Sequence, residues 1–77
     1  NRITLMNFIS AFDILPFTAQ DAEVFGLIRA DLERRGLIIG SYDMQIASQA
    51  ISNGLILVTN NTKEFSRIEQ LRMENWA

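Results

Sequence analysis

The side chains of this chain that could do chemistry are gathered between Gly40 and Phe65, in GSYDMQIASQAISNGLILVTNNTKEF: Asp43, Thr59, Asn60, Asn61 and Glu64. Gly40 and Ser41 break the preceding apolar pattern and supply an N-cap, so a helix opens with Asp43 in its first turn, where the dipole favours a negative charge. On a period of roughly 3.6 residues Asp43 shares a face with Ile46, Ala47 and Ala50, the stripe such a helix buries. An acid aimed inward needs a cation. The same position also suits an ordinary first-turn acid that serves only the helix dipole, and spacing alone does not separate the two.

Asn53-Gly54 ends that helix, and Leu55-Ile56-Leu57-Val58-Thr59 is a short apolar run, the pattern of a strand covered on both faces by helices. Open α/β sheets bind ligands beyond the carboxyl ends of their strands, and Thr59, Asn60, Asn61 and Glu64 lie at or just past that end. Two carboxylates and an amide are therefore expected to converge. Glu64 also fits a solvated partner of Lys63 or Arg67, and Asn60 and Asn61 fit simple turn formers, since Asn tolerates left-handed backbone.

The elements that must position these groups follow from the pattern in chain order. Leu5, Phe8, Ile9 and Phe12 form an apolar stripe at helical spacing, which predicts a helix over residues 3–12. Asp13-Ile14-Leu15 is a short strand candidate stopped by Pro16. Thr18 and Asp21 have capping-box spacing and open the longest helix, to about Arg35, with Ala22, Phe25, Ile28 and Leu32 on its buried face. Gly36 ends it in a left-handed C-cap, and Arg34 and Arg35 complement the negative end of its dipole. After Phe65, residues 66–69 read as a turn and Leu71-Arg72-Met73 as a short final strand, with Trp76 packing back. This alternation argues for an α/β fold with a parallel sheet. Residues 55–59 carry no charge to protect an open edge, so they need strand neighbours on both sides.

The chain has 77 residues, room for one small domain with a thin core. It contains no cysteine and no histidine, which excludes disulfides, zinc thiolates and histidine-based acid–base chemistry. No apolar run approaches the roughly 18 residues of a membrane span, and no signal peptide is visible, so a cytoplasmic protein without membrane contact is expected. Seven basic and nine acidic side chains leave a net charge of −2, hence no strong nucleic-acid footprint. Lys63 and Arg67 flank the acids and are the better candidates for phosphate contact. Tyr42 and Trp76 are expected to pack rather than to stack on bases. The chain begins Asn1-Arg2, not with Met, and reads as a piece of a longer protein.

Three segments, GSYDMQIASQA, then GLILVTNNTKEF, then LRMENW, together resemble the C-terminal part of a PIN-domain toxin of the VapC type. The likeness runs along nearly the whole chain. It departs from the family at Ser41, where Pro is common. It departs more deeply upstream: family members begin with a strand bearing an Asp, followed by a second acid on a later helix, and nothing before Asp43 is assignable to either. The resemblance implies a PIN-like three-layer α/β domain with a central parallel sheet, of which residues 1–77 supply the C-terminal portion. It further implies a Mg²⁺- or Mn²⁺-dependent endoribonuclease acting on structured RNA such as the initiator transfer RNA, a VapB-like antitoxin, and a homodimer. Asp43 would then ligate the metal directly, Glu64 would be a second ligand or hold its water, and Thr59, Asn60 and Asn61 would support them. Asn61 stands where many PIN domains carry a further Asp. With fewer acids than the family, the chain taken by itself also fits a non-catalytic PIN fragment that acts as an interaction module.

Overall fold

The computed structural model describes residues 3–5, as backbone, and residues 16–75. The element order is β1 (Ile3–Leu5), α1 (Ala19–Arg35), α2 (Ser41–Ser52), β2 (Leu57–Thr59), α3 (Thr62–Phe65) and β3 (Met73–Glu74). The strands form one sheet in the order β1-β2-β3, with β2 in the middle.

α1 starts because Thr18 and Asp21 close the expected capping box. The Thr18 hydroxyl accepts from the Asp21 N–H at 3.2 Å, and the Asp21 carboxylate accepts from the Thr18 N–H at 2.9 Å. Just before the cap, Phe17 meets Phe25 edge to face, 6.3 Å between centroids, which sets how the chain enters the helix. Gly36 ends α1 at φ 70°, a conformation that penalises any residue with a Cβ. The buried stripe is turned slightly from the expected one: Ile28 and Leu32 are buried and Phe25 half-buried, but Ala22 is exposed and Asp21 takes the inner place. The capping box explains the rotation, because it draws the Asp21 carboxylate inward, where the Ser52 hydroxyl at the end of α2 faces it.

α2 opens on Gly40, one of the two residues expected to supply the cap, which is extended at φ −60° and ψ 147° and offers no side-chain cap; Ser41 is the first helical residue. Its Met44 and Ala47 join Ile28 and Leu32 of α1, Leu57 of β2, and Phe65 and Ile68 in one core. The Asn53 side chain donates to the Gln49 carbonyl at 2.7 Å, and Gly54 at φ 66° turns the chain into β2. All three residues of β2 are buried, as its apolar composition requires.

The strand acquires partners on both edges. β3 pairs parallel to it, with Leu57 opposite Met73 and Val58 opposite Glu74. β1 pairs antiparallel, with Ile3, Thr4 and Leu5 opposite Thr59, Val58 and Leu57. The helix predicted over 3–12 is therefore wrong for Ile3–Leu5, which are strand; the rest of that segment, the strand candidate at 13–15 and Trp76 lie outside the described residues. An uncharged edge with open N–H and C=O groups favours pairing by a further strand, and Ile3 and Thr4 are β-branched. The sheet is consequently mixed, with its parallel pair confined to β2 and β3. The final strand starts two residues later than expected, at Met73, because Leu71 and Arg72 complete the turn that returns the chain to β2, where the Leu57 N–H donates to the Arg72 carbonyl at 2.9 Å. Among the described residues no helix is long and apolar enough to cross a membrane.

The buried Asp21 has a pH signature. Burial opposes its charge, but the Thr18 N–H, the Ser52 hydroxyl and the Thr18 side chain outweigh that and hold the carboxyl below its usual range, although Oδ1 closes no full hydrogen bond. A folded pKa below the unfolded one means stability that is fully present above about pH 4 and lost as pH falls through the folded pKa. Asp21→Asn is expected to lower the unfolding free energy by about 1–2 kcal/mol at neutral pH. Urea melts of parent and variant check this, and the gap between them should close toward about pH 3.

Candidate acid-pair site

The carboxyl end of β2 delivers the chain to the site. Thr59 is buried, and its hydroxyl accepts from the Asn61 N–H at 2.9 Å, which closes a tight turn across Asn60. That turn runs directly into α3, a single helical turn expected from sequence only as a polar loop, and Phe65 anchors it by complete burial in the core. Glu64, one residue earlier, is left half-buried at the surface. Asn61 is the N-cap of α3 but makes no side-chain capping bond, and Asn60 is exposed.

Asp43 stands at the third position of α2, as Asp21 does in α1. The comparison is instructive. Asp21 accepts its own cap's N–H; at Gly40 there is no side-chain cap, and among the described residues Asp43 makes no hydrogen bond or ion pair. Its carboxylate lies back over Gly40, where an added Cβ would sit 3.8 Å from Oδ2. Burial, then repulsion from Glu64, push the Asp43 carboxyl above its usual range. The two acids singled out in the sequence are thus brought together and electrostatically coupled, with no cation from the described residues between them.

The remaining site residues divide. Lys63 is exposed beside Glu64 and forms no ion pair with it. Arg67, the other candidate for phosphate contact, donates from Nη1 to the Ile38 carbonyl at 3.2 Å and, at a longer 3.5 Å, to that of Leu37. Sequence reading missed this because the partners lie 29 and 30 residues away. Tyr42, expected to pack, is 70 % exposed next to Asp43. Thr59 serves the backbone of the turn, a role its place at a strand end signals. The described residues contain no group of three or more acids, histidines or cysteines. What they do hold is an all-oxygen donor set, two carboxylates with amide carbonyls close in sequence, which suits a hard divalent cation such as Mg²⁺ or Mn²⁺ as part of its coordination shell. An apolar groove lined by Val24, Leu27, Ile28, Ile51 and Ile68 among others contains none of these residues.

With this geometry in hand, comparison with known proteins is informative. The PIN domain family matches residues 2–71, and the chain belongs to that family. It is 46 % identical over 77 residues to the tRNA(fMet)-specific endonuclease VapC of Shigella flexneri and 47 % identical over 76 residues to ribonuclease VapC2 of Rickettsia felis. It covers 100 % and 99 % of itself but only 58 % and 57 % of those proteins, so it spans little more than half the length of these curated relatives. Among solved structures, DNA-bound VapBC from Salmonella typhimurium superposes with a TM-score of 0.80 at 47 % identity, over 91 % of this chain and 53 % of that one. VapBC2 from Rickettsia felis bound to a promoter DNA fragment gives 0.79 at 49 % identity, over 84 % and 49 %. The PIN-like α/β fold expected from sequence is borne out.

The raised Asp43 carboxyl predicts a stability effect of opposite sign to that of Asp21. The folded state holds the Asp43 proton more tightly than the unfolded one, so stability is complete below the unfolded pKa and is lost as pH rises through the folded one. Asp43→Asn removes that repulsion. In metal-free buffer at neutral pH the variant should melt higher than its parent, with the difference vanishing near pH 3, as followed by circular dichroism.

Proposed function

We propose that this chain is the C-terminal part of a VapC-type toxin, a single PIN domain whose complete form is a Mg²⁺- or Mn²⁺-dependent endoribonuclease. The observation that carries this reading is the coupling of Asp43 with Glu64: two acids brought within electrostatic reach of each other near a strand's carboxyl end, neither spent on capping nor neutralised by a described cation. A fold gains nothing from such a pair unless something positive is to sit there. The relatives' names supply the reaction class, ribonuclease, and in one case the substrate, tRNA(fMet).

In this reading Asp43 and Glu64 are metal ligands, and the bound ion supplies a Lewis acid and a lowered pKa for water. The chain's own groups do the rest. Thr59 fixes the turn, and Asn60 and Asn61 orient water without adding charge. Lys63 offers an ammonium to a phosphate of structured RNA, the initiator transfer RNA by analogy with the Shigella flexneri relative. The net charge of −2 gives weak general attraction to nucleic acid, so recognition rests on shape and on such local contacts. The protein acts in the cytoplasm, as a homodimer, and is neutralised by a VapB-like antitoxin; solved relatives that are VapBC complexes support that partner.

One observation favours a second reading for the chain taken alone: among the described residues two acids are gathered and not three or more, and two hold Mg²⁺ weakly. On that reading the piece is a non-catalytic interaction module. Two measurements decide. In the intact protein, Asp43→Asn should reduce Mg²⁺-dependent RNA cleavage by at least ~100-fold, about 2.7 kcal/mol of transition-state stabilisation, while remaining folded. Retained cleavage removes Asp43 from the mechanism. A Mn²⁺-dependent rise in melting temperature that Asp43→Asn abolishes supports the metal site; its absence from the intact protein favours the module.

A further inference from the structure

The acid pair straddles two segments that share no strand or helix: Asp43 opens α2, and Glu64 lies on the one-turn helix α3. Between these two segments the structure contains a continuous polar path. Asp31 on α1 accepts from Arg35 Nε at 3.0 Å. Arg35 Nη2 reaches on to donate to the Arg67 carbonyl at 2.6 Å. Arg67, in turn, sends Nη1 back to the Ile38 and Leu37 carbonyls at 3.2 and 3.5 Å. The path leaves α1, crosses to the turn that follows α3, and returns to the loop that precedes α2.

Its attachment points lie next to the two acids. Arg67 is three residues past Glu64, and its N–H donates to the Glu64 carbonyl at 3.2 Å, so the last turn of α3 ends on it. Ile38 is two residues before Gly40, the cap of α2, whose carbonyl accepts from the Met44 N–H at 3.0 Å. Carbonyls of an exposed connection have water as an alternative partner, so a guanidinium that bonds two of them adds little to overall stability. It does fix geometry, because its planar fork must meet both carbonyls and its own backbone oxygen is held by a second guanidinium. Three of the chain's few cations are used within this region: Arg34 and Arg35 on Asp31, and Arg67 on carbonyls.

We propose that Arg67, held by Arg35 and Asp31, is a positioning residue that sets Asp43 opposite Glu64, and that it does not contact RNA. The inference rests on the metal-site reading above. Loss of the tie lets the α1–α2 loop and the end of α3 move apart, which weakens the cation site without removing either ligand.

The test is made on the intact protein that carries this chain, with Mn²⁺ as the probe, and compares Arg67→Ala, Arg35→Gln and the control Arg29→Ala, whose exposed pair with Glu33 lies outside the tie. Mn²⁺ binding is read by electron paramagnetic resonance well below each melting temperature, and exchange of the Met44 amide is read by NMR. Arg67→Ala and Arg35→Gln should each weaken Mn²⁺ binding about tenfold and speed Met44 exchange, as loss of a group that orients ligands does, while Arg29→Ala changes neither. Ile28→Ala, a core truncation that removes none of the tie's hydrogen-bonding groups, corrects for general destabilisation: it should lower the melting temperature and leave the Mn²⁺ constant unchanged. Arg35→Gln matters because it leaves the Arg67 charge in place, so it stands as the decisive variant if Arg67→Ala fails to fold. If both tie variants bind Mn²⁺ like the parent, and Arg67→Ala raises only the KM for RNA, Arg67 is a substrate contact and the proposal is overturned. If the parent itself binds no Mn²⁺, the metal-site reading fails first and takes this inference with it.

Discussion

A three-residue strand that has no polar side chain to spare for water governs the rest of this structure. Leu57, Val58 and Thr59 are all buried, so their backbone groups must be paired within the protein. β1 and β3 meet that need from opposite edges, and the direction in which the chain leaves the strand is settled as a result. The Thr59 hydroxyl catches the Asn61 N–H, the chain bends into α3, and Phe65 drops into the core. Burial of Phe65 anchors α3, and its neighbour Glu64 comes within electrostatic reach of Asp43. Each acid thus stands beside a fully or nearly fully buried apolar neighbour, Phe65 for Glu64 and Met44 for Asp43, that anchors its segment.

Asp21 and Asp43 show how little a helix position says about a carboxylate's fate. Both stand three residues after an N-cap. Thr18 supplies a hydroxyl and an N–H in the right place, and Asp21 becomes a buried structural anion held below its usual range. Gly40 supplies no side chain, burial and Glu64 both oppose ionisation, and Asp43 is pushed up. The first arrangement is stabilising; the second stores unfavourable electrostatics at one end of a strand, where a cation would relieve them. Absence of a cap at Gly40 is therefore informative, since an acid committed to capping is poorly placed to bind an ion.

Cation usage follows the same economy. Arg34 and Arg35 were expected to complement the α1 dipole, and both do lie in its last turn, yet each also pairs with Asp31. Arg35 reaches further, to the end of α3. Long guanidinium side chains here tie separate segments together, leaving Lys63 as the exposed cation beside the acids. The apolar groove between α1, α2 and the turn after α3 touches this network only at Asp31 and contains neither Asp43 nor Glu64.

Signals that act within one turn were legible in the residues themselves. The capping box at Thr18 and Asp21, the left-handed Gly36, the ends of α2 and the buried strand before Asn60 all follow from neighbours a few positions apart, and so does the choice of Asp43 and Glu64 as the acids to watch. Other features depend on what the folded chain leaves open. Ile3–Leu5 carry a helical pattern and still become strand, because the free edge of β2 offers backbone partners that periodicity does not reveal. Ala22 and Asp21 exchange burial because Ser52, distant in sequence, faces the cap. Arg67 finds carbonyls about thirty residues upstream, and Tyr42 is left in solvent because α2 turns its other faces to the core. Local propensity and capping energies are set by the sequence alone; which edge is unpaired, and which charges meet across space, is settled only once the apolar residues have closed the core and brought distant segments within bonding distance.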